Sequence, residues 1–171
     1  YWFGEHKTEG ESGNFANVGV HCYSSEDLYN WKDEGVVLKV DPEGSGSDIE
    51  KGCILERPKV IYNAKTDEYV MWFHLESKGN GYAGARSGVA ISNCVTGPYV
   101  FIKSVRPNAG YWPINKLLVH KLGSMSNGES YMGGDLPAHP DSLNLIGRDW
   151  EGGQMARDMN LFVDDDGKAY H

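Results

Sequence analysis

A strand–turn–strand pattern that returns three times constrains this chain more than any other feature. The copies are Tyr-Trp-Phe-Gly-Glu-His at Tyr1–His6, Glu-Arg-Pro-Lys-Val-Ile-Tyr-Asn with Glu-Tyr-Val-Met-Trp-Phe-His inside Glu56–His74, and Ala-Arg-Asp-Met-Asn-Leu-Phe with Lys-Ala-Tyr-His inside Ala156–His171. In the middle copy Val60–Asn63 leads through Ala64–Glu68 into Tyr69–His74. In the last, Asn160–Val163 leads through Asp164–Lys168 into Ala169–His171. Aligning the second strands sets His6 against His74 and Glu5 against Phe73, and leaves the first copy without its first strand. The chain therefore reads as a slice of a longer repeat protein. Repeats of a few short strands with no helical period belong to radial or stacked β architectures, because one small sheet cannot bury its own face.

Among these a β-propeller fits best, since its blades are four-stranded meanders and the remaining strands fall where such blades need them. Val18–Ser24 and Val36–Val40 complete a first blade, and Gly88–Ser92 and Tyr99–Lys103 a second. The expectation is an all-β partial propeller covering most of blade one, all of blade two and half of blade three. A long insertion at about 105–154 interrupts it. Turn signals crowd that stretch (Arg106-Pro107-Asn108-Ala109-Gly110, Asn127-Gly128, Gly133-Gly134) around one apolar run, Leu117–Leu122. A connection of that length is usually functional or disordered. Its aromatics Tyr111, Trp112, Tyr131 and Trp150 suit an ordered flap over a site and equally a decorative surface loop.

Composition sets limits. Among 171 residues, 40% are hydrophobic and 22 are Gly, as a one-domain globular β protein with many tight turns requires. The formal net charge of −8 argues against nucleic acid or an anionic membrane as partner. No stretch reads as a signal peptide or membrane span. Cys22, Cys53 and Cys94 are odd in number and lack metal spacing; with Cys22 and Cys94 in or beside strands, buried reduced thiols are expected. His6, His21, His74 and His171 also lack metal spacing and read as packing or hydrogen-bonding residues, His6 being the one to watch. Trp2, Trp31 and Trp72 are expected to fill the space between blades, and Trp112 and Trp150 to stack on a ligand. The acidic stretch Asp41–Glu50 and the run Asp164-Asp165-Asp166-Gly167 raise the question of calcium, but a hairpin turn explains the run better. No cofactor is expected.

In a propeller, inner strands all run one way along the central channel, so the residues that open them gather on one face. Glu56 and Arg57 open that strand in blade two, and Arg157 and Asp158 in blade three. The second strand returns antiparallel and brings Glu5 and His6 to the same face. Carboxylates from separate blades thus converge with two arginines between them. Such convergence suits glycoside hydrolysis, in which one carboxyl donates a proton while an ionised partner activates water, roughly 6.5–9.5 Å away in an inverting enzyme. Like charges raise the acid's pKa and arginines lower those of its partners. Ion pairs tying adjacent blades would use the same residues, and on the residues alone both readings stand.

Five motifs in order carry a family resemblance: Tyr1-Trp-Phe-Gly-Glu5, Cys22-Tyr-Ser-Ser-Glu-Asp-Leu-Tyr-Asn-Trp31, Glu56-Arg-Pro-Lys-Val-Ile-Tyr-Asn63, Glu68-Tyr-Val-Met-Trp-Phe-His74 and Arg157-Asp-Met-Asn-Leu-Phe-Val-Asp-Asp-Asp-Gly167. Together they cover the chain except the insertion, and they resemble the exo-β-1,3-galactanase branch of glycoside hydrolase family 43. The resemblance implies a five-bladed β-propeller and an inverting, exo-acting hydrolase that releases galactose from β-1,3-galactan or arabinogalactan side chains. It further implies a secreted or periplasmic parent protein.

By the same resemblance Asp158 sits where the family has the aspartate that tunes and orients the acid. Glu56 and Glu5 match contacts in the terminal sugar subsite, and Tyr82 matches a tyrosine there. Arg57, Arg157 and Trp150 are further candidate substrate contacts. The family's general acid, a glutamate opening the inner strand of blade four, is expected beyond His171. Its usual aspartate base would precede Tyr1 and is missing from the galactanase branch; Glu5 or Glu56 is expected to stand in. An α-L-arabinofuranosidase or β-xylosidase-like member would share every motif. A non-catalytic carbohydrate-binding propeller would need no blade-four glutamate. The chain alone is expected to be inactive, with unpaired strand edges at both ends.

Overall fold

The computed structural model describes residues 1–10, 12–109, 111 and 152–171. Contacts divide the chain into two compact units, Tyr1–Val105 with Ala156–His171, and Arg106–Met155. In the second unit the Asn108 amide donates to Gln154 Oε1 at 2.6 Å and the Gln154 N–H to the Pro107 carbonyl at 2.7 Å, fastening the two ends of that segment together. Trp112, Tyr131 and Trp150, read above as flap or stacking aromatics, lie outside the described residues.

Among its described residues the first unit is all-β apart from one short 3-10 turn, Gly13–Ala16. Strands β1 (Trp2–Lys7), β2 (Asn17–Ser24) and β3 (Lys32–Lys39) form an antiparallel meander in that order. Strands β4 (Ile54–Asn63), β5 (Glu68–Glu76), β6 (Arg86–Ser92) and β7 (Val100–Val105) form a second. A last hairpin pairs β8 (Phe162–Val163) with β9 (Ala169–Tyr170).

Turn chemistry closes the hairpins where the sequence puts it. Between β4 and β5, Asn63 accepts the Lys65 N–H on its side chain at 3.1 Å, and Asp67 takes the left-handed conformation at φ 57°. Between β8 and β9, Gly167 sits at φ 79° and its N–H reaches the Asp164 carbonyl at 2.8 Å. The neighbouring carboxylates are turned onto the backbone: Asp164 accepts the Asp165 N–H at 2.8 Å and Asp166 the Lys168 N–H at 2.9 Å.

The main core lies between the two meanders. Val20, Cys22, Val37 and Leu38 meet Leu55, Met71, Phe73, Leu75 and Ala90 there, with Tyr99 at the edge. Met71, Phe73 and Leu75 alternate along β5 as one face of a strand must. Phe73 lies over Gly88, where a Cβ would stand 2.2 Å from the ring, so β6 needs a glycine at that place. The opposite face of β5 turns to the last hairpin, where Trp72 packs against His171 with ring centroids 4.5 Å apart.

Several expectations shift. Glu5 shares its face of β1 with Phe3, which packs on the core between the meanders. That face looks toward the second meander, whereas Phe73 looks back toward the first. The repeat alignment of Glu5 with Phe73 and His6 with His74 is therefore out of step by one residue, and in a strand one residue moves every side chain to the other face. β3 begins at Lys32, earlier than its apolar pattern suggests, because Lys32–Lys39 pairs with β2 through bulges that absorb the polar residues. Cys22 and Cys53 are buried free thiols as expected, but Cys94 is exposed. Trp2 and Trp31 are also exposed and meet edge to face at 5.8 Å rather than filling an interior gap.

Candidate functional site

Glu56 is the centre of the site, and a local irregularity creates it. Adjacent residues of a regular strand point to opposite faces. In β4 the register slips between Glu56 and Lys59, and Arg57, just before Pro58, adopts φ 53°. The bulge turns neighbouring side chains toward each other, so that the Arg57 guanidinium donates to Glu56 Oε2 at 3.2 Å. Arg57 Nε meets Asp158 Oδ1 at 2.6 Å on its other side. Arg57 thus bridges a buried carboxylate and an exposed one.

Tyr82, from the β5–β6 connection, donates its hydroxyl to Glu56 Oε1 at 2.7 Å and accepts a bond from the Asn14 amide at 2.6 Å. Asn14 Oδ1 accepts from Lys7 Nζ at 2.9 Å, and Lys7 pairs with Glu5 at 2.7 Å. Glu5 and Glu56 are therefore the two ends of one polar chain through Lys7, Asn14 and Tyr82. Arg157 donates to the Tyr82 carbonyl and holds its guanidinium 5.9 Å from the centre of the Tyr82 ring, a cation–π arrangement. A backbone bond from Ala156 N–H to the Ala85 carbonyl, 2.8 Å, ties the segment bearing Arg157 and Asp158 to the one bearing Tyr82.

Behind Glu56 the polar chain continues inward. His74 Nδ1 lies 3.1 Å from Glu56 Oε2 and His74 Nε2 lies 3.0 Å from Glu76 Oε1. Glu76 Oε2 accepts the Ala85 N–H at 2.8 Å. His74 and Glu76 are fully buried.

Burial pushes the Glu56 carboxyl up, but the bonds from Tyr82 and His74 and the charges of His74 and Arg57 outweigh it and leave its pKa below the usual carboxylate value. Glu56 is accordingly ionised at neutral pH. The Tyr82 hydroxyl moves the other way, raised by burial and by its bond to that carboxylate, and stays protonated. The pair offers an ionised acceptor beside a neutral donor–acceptor, which suits a hydroxyl group that both donates and accepts.

The structure thus brings Glu56, Arg57, Tyr82, Arg157 and Asp158 into one cluster and joins Glu5 to it, while Trp150 falls outside the described residues. Lys7, Asn14 and Glu76 were missed as site residues, and His74 was read only as a packing or hydrogen-bonding residue. His74 and Glu76 do have a signal, two polar residues spaced by two on a strand whose other face is wholly apolar. Asn14 has none, because its contact spans 68 residues of sequence. Among the described residues no group of three or more His, Cys, Asp or Glu side chains is arranged to hold a metal ion. A hollow of about 530 Å³ lined by Tyr1, Trp2, Lys59, Val60, Tyr62 and Val95 lies at the far ends of β1 and β4, without a carboxylate, and is not the site.

Among solved structures, a family 43 β-1,3-galactosidase with galactodeoxynojirimycin is 51% identical over 99% of this chain, with a TM-score of 0.78. The chain belongs to glycoside hydrolase family 43. A second family 43 β-1,3-galactosidase is 38% identical over 99% of the chain at a TM-score of 0.64, and the Clostridium thermocellum exo-β-1,3-galactanase 32% identical over 99% at 0.66. This family 43 chain spans 49% of the first relative and 26% and 28% of the other two. No protein-family model matches it, and no curated protein does.

Proposed function

We propose that the protein containing this chain is an exo-acting β-1,3-galactanase or galactosidase that removes galactose from the ends of β-1,3-galactan, including arabinogalactan side chains, with inversion. The convergence of Glu56, Tyr82, Arg57 and Asp158 in a single hydrogen-bonded cluster carries this reading, together with the family relatives that act on β-1,3-linked galactose. In it the two meanders are the first two blades of a five-bladed propeller, and β8–β9 begins the third. The site needs only carboxylates and water, so no cofactor is required, and a polymeric substrate suits a protein exported from the cytoplasm.

Each residue has a defined task. Ionised Glu56 accepts from a hydroxyl of the terminal galactose and, with Glu5, is the stand-in for the family's base. Tyr82 fixes the orientation of Glu56 and offers its own oxygen to the sugar. Asp158, held by Arg57, supplies in this reading the negative charge that raises the pKa of the acid and keeps it protonated for the leaving oxygen. That acid is a glutamate on the fourth blade of the full-length protein.

The test is a substrate panel on the full-length protein: β-1,3-galactobiose, β-1,4-galactobiose, and aryl α-L-arabinofuranoside and β-xyloside. Galactose release from the β-1,3 disaccharide alone, first appearing as the α-anomer by NMR, is the expected result. Glu56→Gln or Glu5→Gln should cut turnover by orders of magnitude while sugar still binds. Arabinose or xylose release, or wild-type turnover in both variants, would overturn it.

A further inference from the structure

The buried trio Glu56–His74–Glu76 contains more hydrogen-bonding acceptors than a neutral histidine can serve. Both ring nitrogens of His74 face carboxylate oxygens, at 3.1 Å and 3.0 Å. A neutral imidazole has one N–H and one lone pair, so one of these contacts would set lone pair against lone pair. A proton on Glu76 Oε1 would also serve the geometry, because Oε2 alone accepts the Ala85 N–H, but an imidazole nitrogen is ordinarily about two pH units more basic than a carboxylate and takes the proton first. Glu56 takes the Tyr82 hydroxyl and the Arg57 guanidinium, and Glu76 takes the Ala85 N–H. The consistent assignment is an imidazolium donating to two carboxylates. With that proton the imidazolium stands between the two buried carboxylates and Arg57 beside Glu56, so neither anion is left without a cationic partner.

We propose that His74 is a doubly protonated positioning residue, held by Glu76, that fixes the Glu56 carboxylate in orientation and charge against the terminal sugar. This rests on the reading of Glu56 as a subsite carboxylate. Glu76 contributes at a second point. Its outer oxygen lies where a Cβ on Gly84 would come within 2.6 Å, and it holds Ala85 at φ 45°, the end of the connection that carries Tyr82. One carboxylate thereby sets both partners of Glu56, His74 through charge and Tyr82 through the backbone. The remaining polar groups around the trio come from each packed element: Arg57 from β4, Asn14 from the 3-10 turn, Arg157 and Asp158 before β8, Ser87 from β6, and His171 after β9, which meets Ser87 at 3.2 Å.

Three variants of the full-length protein separate positioning from packing. Glu76→Gln keeps the shape and can still accept the Ala85 N–H, but its amide then donates to His74, which falls back to a neutral ring with one N–H toward Glu56. The orientation of Glu56 survives and a cationic neighbour is lost, so the acid limb of kcat/KM should move up on the order of one pH unit while kcat at its plateau changes little. His74→Gln should lower kcat/KM roughly 10- to 100-fold, mainly in KM for galactobiose, since the amide serves one acid only. His74→Phe, matched in size, should be worse than His74→Gln. Independently of any substrate, the 15N–1H spectrum of the wild-type protein at pH 7 should show two protonated nitrogens on the ring that vanishes in His74→Gln. A singly protonated ring overturns the proposal whatever the enzyme acts on. So do folded Glu76→Gln and His74→Gln proteins with the wild-type kcat/KM and acid limb. A doubly protonated ring in a protein that releases no galactose upholds the trio and sinks only the functional reading.

Discussion

Toward its end β5 buries both faces completely, and by opposite means. Met71, Phe73 and Leu75 close one face against the first meander with apolar surface, while His74 and Glu76 close the other with charges bonded to one another. The apolar face gains from leaving water and has no directional requirement. The polar face loses hydration, which only a complete set of partners offsets. A protein that needed only stability here would do as well with hydrophobic residues on both faces. That the charged solution sits directly behind Glu56 marks it as part of the site rather than part of the core.

Breaking the apolar face should have the largest effect on stability. Phe73→Ala removes a wholly buried ring packed on Gly88 and Phe101 and should cost about 3–5 kcal/mol. The denaturation midpoint at pH 5 and pH 8 should fall by the same amount, since no charge is involved. A loss confined to one pH would mean that the two faces are coupled.

The polar face should respond to pH instead. Glu56→Gln leaves an amide among three donors, at least one of which loses its acceptor, at about 2–3 kcal/mol near neutrality. The Glu56 pKa is depressed in the folded state, so the wild-type advantage is full above the ordinary carboxylate value and disappears as pH falls through the lower folded value. Denaturation of both proteins from pH 7 down to pH 3 should therefore show curves that converge on acidification. Parallel curves would mean that Glu56 is not held ionised by its neighbours.

Much of this arrangement is legible in the sequence, and the limits have physical causes. Hairpins are readable because the turn residues announce them, as Asp166-Gly167 does between β8 and β9. The meeting of Glu56, Arg57 and Asp158 is legible in the motif positions, since the repeat sets both motifs near the starts of strands, although Glu56 is the third residue of β4 and Asp158 lies before β8. The direct Glu56–Arg57 contact does not, because it depends on a bulge, and neither does the place of Glu5, where an alignment slip of one residue inverts the face. Asn14 is illegible for another reason. Its role is set by the distant Tyr82, and a 3-10 turn carries no periodicity that would point it there.

Tyr82→Phe probes the rim of the polar face and should do less. The phenol is 40% exposed, so losing its bond to Glu56 should cost below about 1 kcal/mol. The released Asn14 amide can turn to water. In the full-length enzyme, however, Glu56 loses a donor that lowers its pKa, and the acid limb of kcat/KM should rise. A limb that stays in place would assign the hold on Glu56 to His74 and Arg57 alone.

Asp158→Asn should be smallest of all in stability and sharpest in what it separates. Its side chain is 80% exposed, and an exposed ion pair to Arg57 adds little that water and salt do not replace. The melting temperature should stay within error, at low and high salt alike. If Asp158 acts as the charge that keeps the proposed acid protonated, turnover should nevertheless drop by orders of magnitude, with the basic limb of the kcat profile moved to lower pH as the acid loses that support. Equal loss of stability and turnover would make the Arg57–Asp158 pair a clamp between segments. A collapse of turnover in a protein that melts like wild type would show that the exposed end of this polar chain was built for chemistry, as its buried end is built to hold Glu56.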